Sequence, residues 1–144
     1  MKKIMFSLLS VAFLLLSGAC NSVNRPDRTP QVKVYEVTGY CRCGSCCGWK
    51  RNWYGRPVLK SNPSITKEVG LTASGTKARI GTIAAPRNIP YGTIMHIPGY
   101  GYGVVEDRGG AIKGNKLDVY FNSHQDALEW GRQTHRVEVW LPQS

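Results

Sequence analysis

Short runs of alternating apolar and polar residues, broken by glycine and proline, run through most of this chain. Val32 to Tyr40 is rich in β-branched and aromatic residues and predicts a strand. Ile80 to Ala85 and Thr93 to Ile97 predict two more, parted by PRNIPYG, whose prolines and glycine make a turn rather than a continuation. Val104 to Asp107 and Leu117 to Phe121 follow. In strict alternation Val105 and Asp107 share one face of the first, while Asp118 and Tyr120 lie opposite Leu117, Val119 and Phe121 on the second. Ser123 is a candidate N-cap with Asp126 three residues on, opening a short helix through Trp130 that Gly131 closes. His135 to Leu141 alternates with Val137, Val139 and Leu141 inward. Six or seven short strands and one small helix predict an all-β fold, a closed or nearly closed barrel.

The pattern breaks at both ends of the first thirty residues. Residues 1–20 carry Lys2 and Lys3, an apolar run from Ile4 to Leu16, and small residues ending at Cys20, the layout of a secretory signal. The run is too short to be read as a membrane-spanning helix. Leu16, Ser17, Gly18 and Ala19 approximate a lipobox, so Cys20 is a candidate for lipid modification. A soluble secreted form is the alternative. Residues 21–31 are polar, with two prolines, and predict a flexible tether. Residues 32–144 are expected to form one domain, since the chain is too short for two comfortable cores.

Charge narrows the partners. The 144 residues carry a formal net charge of +10, and removal of Lys2 and Lys3 leaves +8. A basic exported protein is drawn to polyanions, here the cell wall or an anionic membrane surface. Nucleic acid is disfavoured by the export signal and by the lack of a recognisable binding module. A cell-envelope location, as an outer-membrane or periplasmic lipoprotein, and a monomeric state are expected.

Cys41, Cys43, Cys46 and Cys47 are spaced C-x-C-x-x-C-C. In an oxidising compartment this predicts two disulfides, of three possible connectivities, with adjacent Cys46 and Cys47 poor partners for one another. The rival is a zinc knot ligated by all four, disfavoured because structural zinc sites draw ligands from two separated knuckles. No metal and no cofactor are therefore expected. His96, His124 and His135 show no ligand spacing and read as structural or surface residues.

The long basic segment 48–70 contains Trp49, Trp53 and Tyr54. These aromatics could stack on sugar faces, but tryptophan is usually mostly buried, and they are expected to cover one end of the barrel. TASG at Thr72 to Gly75 supplies small hydroxyls and a glycine where backbone can approach a ligand.

The stretch Gly99 to Tyr120 places Asp107 and Asp118 at two strand-like runs joined by a glycine-rich loop. A carboxylate between Leu117 and Val119 is costly to bury unless it has a partner or a task. Glu106, on the opposite face from Asp107, is expected to be solvated.

GTIAAPRNIPYGTIMHIPGYGYGVVEDRGGAIKGNKLDVYF resembles the core of the 3D domain, named for three aspartates, and YCRCGSCCGW with TASGT is similar to a cysteine-bearing branch of it. The resemblance spans roughly Val34 to Trp140. It implies a six-stranded double-psi β-barrel, similar to the catalytic barrel of membrane-bound lytic transglycosylase A, and cleavage of peptidoglycan glycan strands. Asp107 and Asp118 match the second and third aspartates, and Asp118 takes the place of the catalytic acid. The first is missing, with Ala85 or Pro86 in its place. Thr72, Ser74, Gly75, Tyr120 and Lys113 are the candidate substrate-binding residues. A non-catalytic wall-binding barrel is the alternative.

Overall fold

The computed structural model describes residues 23–143. The expected signal segment, and with it Cys20, lies outside the described residues. The chain folds into eight strands and two short helices: β1 (Gln31–Tyr40), α1 (Gly44–Cys47), β2 (Trp49–Arg51), β3 (Pro57–Leu59), β4 (Thr82–Ala84), β5 (Ile94–Ile97), β6 (Gly101–Asp107), β7 (Lys116–Tyr120), α2 (His124–Trp130) and β8 (Arg132–Trp140). Six strands close into a barrel in the order β1-β7-β4-β6-β5-β8, with β8 returning to β1. The β1–β7 and β4–β6 pairs are parallel and the others antiparallel, the mixed closure expected of a double-psi barrel.

All six barrel strands lie where the alternation places them, with ends shifted by a few residues. Their inward positions fill the core: Val37, Ile83, Met95, Ile97, Val105, Leu117, Val119 and Val137 are fully buried. Burial of this apolar area, at roughly 25 cal/mol per Å², is the main stabilising term. Ser123 caps α2 through its hydroxyl, which accepts from the Asp126 N–H at 3.1 Å, and Gly131 closes the helix at φ 64°. Among the described residues no helix is long and apolar enough to cross a membrane.

Segment 48–70 is more ordered than a connection. It forms the β2–β3 hairpin, with Trp49 opposite Leu59, preceded by the single-turn helix α1. The aromatics do not all bury as expected. Trp53 and Tyr54 sit at the hairpin tip, 83% and 67% exposed, with their rings against each other, while Trp49 is half-buried. The tip turns over Asn52, whose carbonyl side chain accepts from the N–H groups of Tyr54 and Arg56, so the tryptophan is left without a surface to cover.

Glu106 also departs from expectation. Its carboxylate receives both arms of the Arg79 guanidinium at 2.9 Å and the Thr82 hydroxyl at 3.1 Å, so it is ion-paired rather than solvated. The cause is a bulge: Ile83 pairs with Val105 but Ala84 pairs with Asp107, leaving Glu106 as the extra residue of β6.

Candidate active site

The same bulge builds the site. Strict alternation puts Asp107 on the face of Val105, inside the barrel. With Glu106 looped out, Asp107 instead lies beside Ala84, which on its other side pairs with Asp118 of β7. Both aspartates thus flank one small residue on the outer face of the sheet. Parallel pairing of β1 with β7 sets Thr38 beside Asp118 and Tyr40 beside Tyr120 on that same face. Tyr40, Ala84 and Tyr120 form a second small core there, against which Cys46, Cys47, Ala78 and Ile112 pack.

Asp107 is held by three donors. The Tyr40 hydroxyl donates to its Oδ2 at 2.8 Å, and the N–H groups of Ala73 and Arg108 donate to its Oδ1 at 2.9 and 2.8 Å. Asp118 has one side-chain partner, the Thr38 hydroxyl, donating to Oδ1 at 2.9 Å. Burial pushes the Asp118 carboxyl up to about 6; Thr38 opposes this and the charge of Asp107 adds to it. Tyr40 is also held well above the usual phenol range, by burial and then by Asp107.

Asp107, Asp118 and Tyr40 line a cleft of about 370 Å³, whose walls include Arg42, Lys67, Thr72 and Arg108. Arg108 is fixed by donating to the carbonyls of Ala85 and Ile89, at 3.2 and 2.6 Å, with its guanidinium 4.0 Å from the Tyr91 ring centroid. A second hollow of about 670 Å³ shares Ala73, Arg108, Gly109 and Gly110 with the first, so the two adjoin.

The candidate residues divide accordingly. Asp107, Asp118, Tyr120 and Thr72 line the cleft, and Lys113 lines the adjoining hollow. Ser74 and Gly75 do not line either. Ser74 belongs to a hydroxyl-knit turn in which Thr72 Oγ1 lies 3.1 Å from Ser74 Oγ and 2.9 Å from Thr76 Oγ1, and this turn aims the Ala73 N–H at Asp107. Of the two residues expected at the place of the missing first aspartate, Ala85 is buried in the barrel core and Pro86 lines the adjoining hollow.

Thr38, Tyr40, Arg42, Lys67 and Arg108 are site residues that sequence reasoning missed. Thr38 and Tyr40 carried a usable signal, since they alternate on β1 as Asp118 and Tyr120 do on β7; what was lacking was the register between the two strands.

The four described cysteines are free thiols, without the expected disulfides. His124 is exposed. It opens α2 with its Nδ1 3.5 Å from Cys43 Sγ and 3.4 Å from Cys46 Sγ. His96 pairs with Glu138 at 3.2 Å, and His135 lies 3.0 Å from the Gln133 amide oxygen.

Residues 81–143 match the family model of the 3D domain. This matched segment supplies five of the six barrel strands and both aspartates, while β1, the cysteine loop and the Thr72 turn precede it. Over 123 residues, 85% of this chain, the sequence is 33% identical to YabE of Bacillus subtilis, a protein named for cell wall shaping, and covers 27% of it. Over 99 residues, 55% of this chain, it is 34% identical to the cell wall-binding protein YocH of the same organism, covering 34% of that protein. The chain thus spans about a third or less of the curated relatives it matches. A crystal structure of MltA from E. coli is similar over 50% of this chain and 28% of that one, with 25% identity and a TM-score of 0.40.

Proposed function

We propose that this protein acts on peptidoglycan in the cell envelope, cleaving glycan strands without water, with Asp118 as acid and then base. The observation that carries this reading is a half-buried carboxyl, raised to about 6, in a groove beside a second carboxylate. The 3D domain and the cell-wall names of the two relatives supply the substrate class.

Protonated Asp118 gives its proton to the glycosidic oxygen as the bond from that oxygen to the anomeric carbon breaks. The 6-hydroxyl of the same muramic acid then attacks the anomeric carbon, and the Asp118 carboxylate takes its proton. The product is a 1,6-anhydro end, and the acid is regenerated. One carboxyl suffices for this sequence, whereas hydrolytic glycosidases generally use two. Asp107, with its oxygens already engaged by Tyr40, Ala73 and Arg108, raises the proton affinity of Asp118 and orders the cleft wall. Loss of the first family aspartate leaves the proton donor in place.

The name of YocH favours a second reading, a barrel that binds the wall without cutting it. Mass spectrometry of soluble products from sacculi separates the two. Wild type is expected to release 1,6-anhydro-muropeptides and Asp118→Asn none; binding by both with release by neither transfers the conclusion to wall binding.

A further inference from the structure

The cysteine loop and the start of α2 converge on a single point. Cys41 Sγ and Cys46 Sγ lie 3.8 Å apart, and His124 Nδ1 lies 3.9, 3.5 and 3.4 Å from the sulfurs of Cys41, Cys43 and Cys46. All four atoms fall within 4.8 Å of one another. A tetrahedral zinc ion with sulfur at about 2.3 Å and nitrogen at about 2.0–2.1 Å requires S···S separations of about 3.8 Å and S···N separations of about 3.6 Å. The Cys41–Cys46 separation of 3.8 Å matches the first value, the S···N distances of 3.4 to 3.9 Å bracket the second, and the remaining sulfur pairs lie within 4.8 Å. They do not meet the requirement of a disulfide, whose sulfurs sit about 2.05 Å apart.

The loop is also shaped to hold thiolates. The Cys43 N–H points at Cys41 Sγ and the Cys46 N–H at Cys43 Sγ, each at 3.4 Å, so each ligand supports the charge of the one before it. Cys47 is turned away. Its thiol donates to the Cys41 carbonyl at 3.1 Å, and the side chain packs on the Tyr40–Ala84–Tyr120 core.

We propose that Cys41, Cys43, Cys46 and His124 bind one zinc ion in a closed structural site. Four protein ligands complete the tetrahedron and leave no position for water or substrate. A set of three thiolates and an imidazole suits zinc and not magnesium or calcium. The objection that all the cysteines lie in one loop is met by His124, which comes from a second element far along the chain. The ion ties the end of β1 to the start of α2, next to Tyr40, the residue that holds Asp107, and to the cleft wall at Cys46. In an oxidising compartment disulfide formation competes for the same sulfurs, and zinc would protect them.

The test is metal content of the full chain purified without chelator, by elemental mass spectrometry, followed by zinc titration of the reduced protein. About one zinc per chain is expected, released to a colorimetric chelator when a mercurial titrates the thiols. Cobalt substituted for zinc should give the intense near-ultraviolet charge-transfer and visible bands of tetrahedral thiolate ligation. Even outer-shell changes cost about 10–100-fold in metal affinity, so Cys43→Ser and His124→Ala should lose more than about 100-fold, while Cys47→Ser keeps wild-type affinity. His124→Cys, which preserves four ligands, should retain zinc and guards against misreading a misfolded variant. Reduced protein that takes up no zinc, an octahedral cobalt spectrum, or equal loss in Cys47→Ser and Cys43→Ser would overturn the site.

Discussion

Asp107 and Asp118 are register partners of the same residue, Ala84, from strands on either side of it. Their proximity sets a small electrostatic coupling over a larger burial effect, because desolvation is the first cause of the raised Asp118 value and Asp107 only a further one. Asp107→Asn should therefore lower the titration midpoint of Asp118 from about 6 without returning it to the ordinary 3.8. Thr38→Val removes the donor that favours the charged form and should move the midpoint up. Carboxyl carbon shifts followed by NMR against pH read both directions without any need for turnover.

The same titration is linked to stability. The folded protein holds the Asp118 proton more tightly than the unfolded chain does, so this contribution is complete below 3.8 and is lost as pH rises through about 6. Asp118→Asn has nothing to ionise. Its Tm relative to wild type should rise by roughly 5–15 °C between pH 4 and pH 7, measured by calorimetry at matched ionic strength. A constant difference across that range would mean that the folded-state value is not raised.

How far this could be read from the sequence depended on whether the information was local. The strands of Val32–Tyr40 and His135–Leu141, and the α2 cap at Ser123, follow from alternation and capping chemistry within a few residues, and they stand close to where expected, except that β8 ends at Trp140 and Leu141, expected inward, is 42% exposed. Asp107 was the right residue on the wrong face, since alternation has no means of showing a bulge that the β4–β6 pairing creates. His124 could not be joined to the cysteines for a related reason: some eighty positions separate them, and only closure of the barrel brings α2 over the end of β1.

That closure runs through a glycine. A Cβ on Gly39 would lie 2.9 Å from the Ala127 carbonyl oxygen and 3.0 Å from the Phe121 ring, so α2 rests directly on the backbone of β1. Gly39→Ala should cost about 1–3 kcal/mol by forcing the two apart, read from denaturant midpoints. Gly103→Ala offers a comparison away from α2, because its Cβ would meet the Gly81 carbonyl oxygen at 2.6 Å. Both should destabilise, but only Gly39→Ala should also weaken zinc retention, as it displaces His124.

The exposed pair Trp53 and Tyr54 separates wall attachment from fold stability. Trp53 is 83% exposed at the tip of a hairpin whose other end, at Trp49, lines the cleft. A large aromatic held in water on a polar turn contributes little to the core, so Trp53→Ala should leave the unfolding free energy within about 0.5 kcal/mol of wild type. Stacking on sugar faces would instead use that surface, so retention on sacculi in a pull-down should fall several-fold for Trp53→Ala and further for the double alanine variant with Tyr54. Unchanged retention would confine glycan contact to the groove itself, where Arg42, Lys67 and Arg108 supply the positive charge, and would leave the hairpin tip outside the binding surface.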